Sequence, residues 1–340
     1  MKHSNIAIFI PHSGCPHQCS FCNQRTISGQ ASSPSPEEVS GILRQAKVEI
    51  ADPANTEIAF FGGSFTAVPA SYRRTLLKAA EPFLGEDGFS GIRISTRPDA
   101  IDREVLSELK EAGVTAIELG AQSMRDEVLS ANGRGHTAEQ VRTASALIRE
   151  QGFSLGLQMM TGLYQDDREG ALFTARELAE CRPDTMRIYP VAVLKGTELG
   201  RLWEAGIYRP MELAESVDLC AELLWYFHLK GIRVIKAGLH ASAEVEANRL
   251  AGAYHPAFRE LCEQRIYRER AMELLSCIPG ADPVTIGVSP RAVSKMAGQK
   301  RENILLLEKE TGRKLRIRGR AGLAEYEIIL VEEEEGQHCF

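Results

Sequence analysis

The stretch that decides the reading is Gly14-Cys15-Pro16-His17-Gln18-Cys19-Ser20-Phe21-Cys22-Asn23. Its three cysteines have the spacing CxxxCxxC, with an aromatic residue before the last. Three thiolates on one short loop can hold three irons of a cubane cluster and leave the fourth open. A cluster dedicated to electron transfer normally has four cysteines. An open iron can bind a substrate, as an open zinc site does. The same residues also admit other chemistry. With His12 or His17 the cysteines could make a Cys3His zinc site. A plain electron carrier would need a fourth cysteine, such as the distant Cys181. A disulfide framework fits poorly, because three is odd and nothing marks the chain as secreted.

The surroundings of this loop are those of an ordinary globular protein. The chain has 340 residues, 44% hydrophobic and 25% charged, with a net charge of −6. That length allows a large domain and a smaller one. The net charge argues against a generic polyanion binder. No apolar run approaches the roughly 20 residues of a membrane span, and no signal peptide is visible. The other five cysteines (Cys181, Cys220, Cys262, Cys277 and Cys339) are scattered, which suits a reducing cytoplasm.

Apolar, β-branched runs alternate with helical patterns for about 240 residues. The expected strands are Ile6–Ile10, Ile58–Phe61, Ile92–Ser95, Ala116–Leu119, Leu155–Met159 and Met186–Val193, with Ile232–Ile235 as a further candidate. The expected helices are Glu37–Ile50, Tyr72–Phe83, Asp102–Ala112, Ala138–Gln151, Arg168–Cys181 and Met211–Leu229. Six βα units imply parallel strands with helical crossovers, in a doubly wound sheet or a full or partial barrel. The cysteine loop directly follows the first strand. Active sites in such folds gather at the carboxyl ends of strands, so the loop stands where catalysis would be.

Several further strings share that position. The second strand ends Phe60-Phe61-Gly62-Gly63-Ser64-Phe65, where two glycines let the backbone approach a ligand. The third ends Ile94-Ser95-Thr96-Arg97-Pro98-Asp99. The fourth reads Ile117-Glu118-Leu119-Gly120-Ala121-Gln122-Ser123 and runs on to Asn132-Gly133-Arg134-Gly135-His136-Thr137. With the cysteine loop, Arg187-Ile188-Tyr189-Pro190 and Lys195-Gly196-Thr197-Glu198-Leu199, these strings resemble the radical S-adenosylmethionine (SAM) superfamily. Within it they resemble the radical SAM domain of the Elongator catalytic-subunit family, over roughly residues 5–240.

The resemblance implies an α/β fold: a partial (β/α)6 TIM-like barrel over residues 1–240. It implies a [4Fe–4S] cluster on Cys15, Cys19 and Cys22, whose open iron chelates SAM. It implies an enzyme that cleaves SAM to a 5′-deoxyadenosyl radical, with a flavodoxin- or ferredoxin-like electron donor. It also implies SAM contacts. Gly62 and Gly63 would meet the SAM amino group, with Ser64 where many relatives carry glutamate. Ser95 stands where some relatives bind the amine. Gln122 would reach the ribose, Arg134 the carboxylate and Gln158 the ribose, and Phe21 would lie near the adenine. Two departures are clear: the first cysteine interval is shorter than in the Elongator family, and no acetyl-CoA loop is found after residue 240.

Residues 241–340 are expected to form a helical linker and a small α+β domain. A helix-like stretch from His255 to about Ser276 precedes strand Val284–Val288, helix Arg291–Met296, the turn Gly298-Gln299-Lys300-Arg301, helix Glu302–Thr311, and strands Lys314–Arg318 and Tyr326–Val331. This β-α-turn-α-β-β order resembles a KH domain, whose GxxG loop clamps single-stranded nucleic acid; Arg301 replaces the second glycine. Between Ser289 and Arg320 there are ten Lys/Arg against three Glu, a local excess of +7. The region Arg291–Arg320 is therefore a candidate RNA contact and a tRNA base a candidate substrate. A small-molecule or protein substrate, or a zinc-binding RNA adaptor without catalysis, stand as alternatives. Glu332–Glu335 reads as a solvated acidic tail.

Overall fold

The computed structural model describes residues 4–11, 15–29, 32–280 and 282–331. His12, Gly14, Glu332–Glu335 and Cys339 lie outside them. The chain forms two units. One takes the residues up to Ser216 together with Phe227–Pro256; the other takes Val217–Tyr226 together with the residues from Ala257 onward.

The first unit begins with β1 (Ser4–Ile10), the short α1 (Gln24–Ser28), α2 (Pro36–Glu49), β2 (Thr56–Gly62), α3 (Ala70–Ala80), β3 (Ile92–Thr96) and α4 (Arg103–Glu111). It continues with β4 (Val114–Gln122), α5 (Asp126–Ala131), α6 (Ala138–Glu150), β5 (Ser154–Thr161), α7 (Arg168–Glu180), β6 (Thr185–Pro190), β7 (Ala192–Leu194) and α8 (Glu198–Glu204). After α9 (Leu213–Leu229), whose middle belongs to the second unit, come β8 (Arg233–Ala237), α10 (Ala243–Asn248) and β9 (Arg249–Gly252).

Seven strands form one sheet in the order β1-β2-β3-β4-β5-β6-β8, every neighbouring pair parallel. The sheet curls into a half-barrel, and the Ile232–Ile235 candidate supplies its seventh strand, β8. Helix starts are fixed by side-chain caps. Ser35 and Glu38 form a capping box at α2, Thr137 and Gln140 another at α6, and Asp102 caps α4. The segment Met186–Val193, read as one strand, divides. β6 ends at Pro190, and β7 pairs antiparallel with β9 instead of continuing in the main sheet. That pairing also ties residues 249–252, expected in the C-terminal part, to the first unit.

The two faces of the half-barrel differ in chemistry. Ile8, Phe60, Ile94, Ile117 and Leu155 lie in one register row and are at most 2% exposed. Each such side chain contributes about 1.5–3 kcal/mol when removed from water. The opposite face is mixed: Gly120, Gln158, Arg187 and Lys236 form a second row across β4, β5, β6 and β8, and Phe9, Phe61 and Met160 border the same cavity. Parallel strands with helical crossovers bring all carboxyl ends to one rim. The cysteine loop, the glycines after β2 and the end of β4 meet there.

The second unit comprises α11 (Phe258–Ser276), β10 (Val284–Val288), α12 (Val293–Ala297), α13 (Glu302–Thr311), β11 (Leu315–Gly319) and β12 (Ile328–Val331). β10 is central, parallel to β11 and antiparallel to β12. The element order is the one expected from the sequence, and Gly312 closes α13 with φ +71°.

Candidate cofactor site

The loop bearing Cys15, Cys19 and Cys22 is held by its neighbours. The Ser20 backbone amide donates to Asn132 O at 3.0 Å, and Ser20 Oγ to Asn132 Oδ1 at 2.7 Å. The Leu199 amide donates to Ser20 O at 2.8 Å. The string Asn132-Gly133-Arg134-Gly135-His136 passes directly behind the loop. Gly133 and Gly135 both have positive φ, and a Cβ at Gly135 would lie 2.3 Å from the His17 ring. The glycines there are required by conformation and by close approach.

The three cysteines line one cavity of about 120 Å3, together with Gly62, Gly63, Arg97 and Arg134. It adjoins a larger cavity of about 600 Å3 on the inner face of the sheet. Phe21, Cys22, Gly62, Ser95, Gln122 and Gln158 border both. Among the described residues, no three His, Cys, Asp or Glu side chains are grouped as a single metal ion would need. Burial pushes the Cys22 thiol up to about 12, and the neighbouring Cys19 adds to the shift. Burial likewise raises Cys15, followed by Cys19, while Arg97 and Arg134 oppose the rise. Crowded, buried thiols resist ionisation alone; a cationic iron–sulfur core would offset that and take them as thiolates.

The expected SAM contacts fall around these cavities, with one difference. Gly62 has φ +110°, and a Cβ there would approach Ile10 O at 3.0 Å. Gln122 sits at a register shift at the end of β4 with φ 67°, a left-handed conformation costly for a residue with a side chain. Its Oε1 is buried without a hydrogen-bond partner among the described residues. A strained residue offering an orphan acceptor to a cavity fits a hydroxyl-bearing ligand such as a ribose. Arg134 Nη1 donates to Cys19 Sγ at 3.1 Å, and its Nη2 to Gly120 O. Phe21 packs against the apolar cluster that contains Val128, Leu163, Val191, Val193, Leu199 and Tyr208. Ser64 differs: its Oγ is 2.8 Å from Thr96 Oγ1 and accepts from the Arg97 amide at 3.2 Å. It ties the ends of β2 and β3 together, and its side chain borders neither cavity.

The sequence reading passed over the floor of the larger cavity. Glu118 is 1% exposed. Its carboxylate accepts from Arg187 Nη2 at 2.7 Å and from Gln158 Nε2 at 2.9 Å, with Arg93 Nη1 at 3.4 Å. Arg93 also donates to Glu57 at 2.7 Å. Arg187 lies 5.0 Å from the Phe61 ring centre and donates to the Tyr189 hydroxyl at 3.4 Å. Gln158 thus gives its amide nitrogen to Glu118 and leaves its oxygen for the cavity. The available signal was charge on alternate residues of otherwise apolar strands.

Residues 9–175 match the radical SAM superfamily, and residues 183–268 match the radical SAM C-terminal domain. The chain is 26% identical over 254 residues to the tRNA uridine(34) acetyltransferase of Methanocaldococcus jannaschii, covering 63% of this chain and 47% of that protein. It is 31% identical over 188 residues to Elongator complex protein 3 of Homo sapiens, covering 49% of this chain and 34% of that protein. The chain thus spans about a third to a half of the length of these relatives. In fold it is similar to the archaeal Methanocaldococcus infernus Elp3, with a TM-score of 0.62 at 19% identity, covering 79% of this chain and 64% of that one. No helix among the described residues is long and apolar enough to cross a membrane. The chain belongs to the radical SAM superfamily, and its radical SAM domain resembles that of the Elongator catalytic subunit.

Proposed function

We propose that Cys15, Cys19 and Cys22 hold a [4Fe–4S] cluster with one iron open to SAM, and that the enzyme acts on RNA, at a tRNA base. The superfamily's cofactors are this cluster and SAM. One observation carries the reading: three thiols surround a small cavity that adjoins a larger one bordered by Gln122, Gln158 and Ser95.

When bound, the reduced cluster supplies one electron for cleavage of SAM to methionine and a 5′-deoxyadenosyl radical, which takes hydrogen from the substrate. The protein's part is to bind, orient and exclude water. The three thiols release their protons on loading. Arg134 keeps positive charge beside Cys19 and presents a cation toward the SAM carboxylate. Gln122 and Gln158 offer carbonyl oxygens to ribose hydroxyls, and Gly62 and Gly63 let the backbone approach the amino group. Phe21 borders the adenine position. The electron comes from a flavodoxin- or ferredoxin-like donor.

RNA as substrate is supported by the likeness to the archaeal tRNA uridine(34) acetyltransferase and by the +7 excess between Ser289 and Arg320. The test is 5′-deoxyadenosine formation by anaerobic, iron-reconstituted protein given SAM and dithionite, with and without bulk tRNA. The reading expects product from the intact protein, more of it with tRNA, and none from Cys19→Ala. Colourless protein that holds zinc and leaves SAM intact would refute it.

A further inference from the structure

The basic residues of the second unit are not equivalent. Arg313 is buried, its guanidinium donating to the carbonyls of Ile278, Pro279 and Gly280. Lys295 pairs with Glu263, and Lys314 with Glu308 at 3.1 Å. Arg313 serves the fold, and the two lysines are partnered by carboxylates.

Arg316, Arg318 and Arg320 are arranged differently. All are exposed, and they alternate along β11 and its continuation, where the Arg320 amide donates to Val288 O at 2.7 Å. Residues two apart on a strand point to the same face and repeat every 6.5–7 Å or so. In register beside them on β10 are Thr285 and Gly287, followed on β12 by Val331 and Ile329. A Cβ at Gly287 would meet Ile329 at 2.9 Å and the Arg320 side chain at 3.2 Å. On this face the side chains of Arg320, Ile329 and Val331 close over Gly287, so the exposed surface carries three arginines along one edge and aliphatic side chains along the other.

We infer that this face binds the phosphate backbone of single-stranded RNA, with Arg316, Arg318 and Arg320 each meeting a phosphate. The inference rests on the reading that the enzyme acts on RNA, and it locates that contact on the sheet instead of the Gly298–Arg301 turn. Evenly spaced guanidinium groups match a regularly repeating anion, and their planar forks suit phosphate oxygens.

The experiment measures fluorescence anisotropy of a short oligouridylate with the full chain across a salt series. The variants are the triple Arg316→Gln/Arg318→Gln/Arg320→Gln, the matching Arg→Lys triple, and Lys300→Gln/Arg301→Gln in the turn. For single strands each lost phosphate contact lowers the slope of log K against log salt by about 0.7, so the Gln triple should lose about 2. Its affinity at about 0.1 M salt should fall tenfold or more, while the Lys triple keeps the slope. Circular dichroism confirms that each variant is folded. An unchanged slope in a folded Gln triple would overturn the inference while RNA binding by the intact protein stood. So would a larger loss in the turn variant, or displacement of the RNA by polyglutamate at matched ionic strength. Intact protein that binds no RNA would instead remove the underlying reading.

Discussion

Glu118 shows how a single side chain can govern a site it does not enter. Its carboxylate fixes Arg187 and Gln158 from below the cavity. In Glu118→Gln the neutral amide loses the charge match with Arg187 and Arg93. Breaking a buried ion pair on one side costs up to about 3–5 kcal/mol. Gln158 would then bond to a weaker, neutral acceptor in a rearranged floor, so the affinity for SAM should fall in calorimetric titration of reconstituted protein. Equal SAM affinity in the variant would show that Gln158 is oriented by something else.

His136 provides a pH signature. Burial, followed by Arg134 and Arg97, lowers its pKa to about 3 from an ordinary value near 6.5. It stays neutral in the folded chain, its Nε2 3.1 Å from Ala121 O. The unfolded chain binds the extra proton first, so this contribution to stability is complete above about pH 6.5 and is lost as the pH falls toward 3. Urea midpoints should therefore drop over that range, and His136→Gln should flatten the drop. A wild-type slope in the variant would rule out His136 as its source.

At the scale of elements, what the sequence revealed depended on how local the signal was. The outer face of the half-barrel was legible because Ile8, Phe60, Ile94 and Ile117 stand in short, apolar runs whose length and flanking turn residues suit a buried strand. The cysteine loop was legible because its spacing is chemistry in itself. The break between β6 and β7 had one local signal, Pro190, at which β6 ends; the pairing of β7 with β9 was not legible, because its partner comes from about sixty residues away. Gln122 was named from a resemblance; its strain and orphan oxygen emerge only when Arg134 and Gly120 are brought together. The loop behind the cysteines yields a prediction at this scale. Gly135→Ala places a methyl against the His17 ring at φ +70°, so it should displace the cysteine loop. Reconstituted variant should carry markedly less iron per chain with unchanged far-ultraviolet circular dichroism. Full iron loading would mean that the loop adjusts without cost.

For the whole molecule, bulk composition was a poor guide. A net charge of −6 conceals a C-terminal unit in which ten basic residues fall in one stretch of sequence. Counting could not tell that Arg313 is buried structure while Arg316, Arg318 and Arg320 form a row, because that distinction arises from strand pairing. Nor could it show Glu118, Arg93 and Arg187 joining three strands beneath one cavity. The half-barrel gathers both the thiols and this charged floor at the carboxyl ends of its strands, which is why the cofactor reading does not depend on the second unit.

The most direct test of the account is electron paramagnetic resonance of the dithionite-reduced, reconstituted protein before and after SAM is added, alongside iron and sulfide analysis. The account predicts about four irons per chain and a reduced-cluster signal that changes shape when SAM occupies the open iron. Both should be absent in Cys15→Ala/Cys19→Ala/Cys22→Ala. A cluster signal indifferent to SAM would contradict the open iron, and a metal content of one zinc with no signal would contradict the cluster itself.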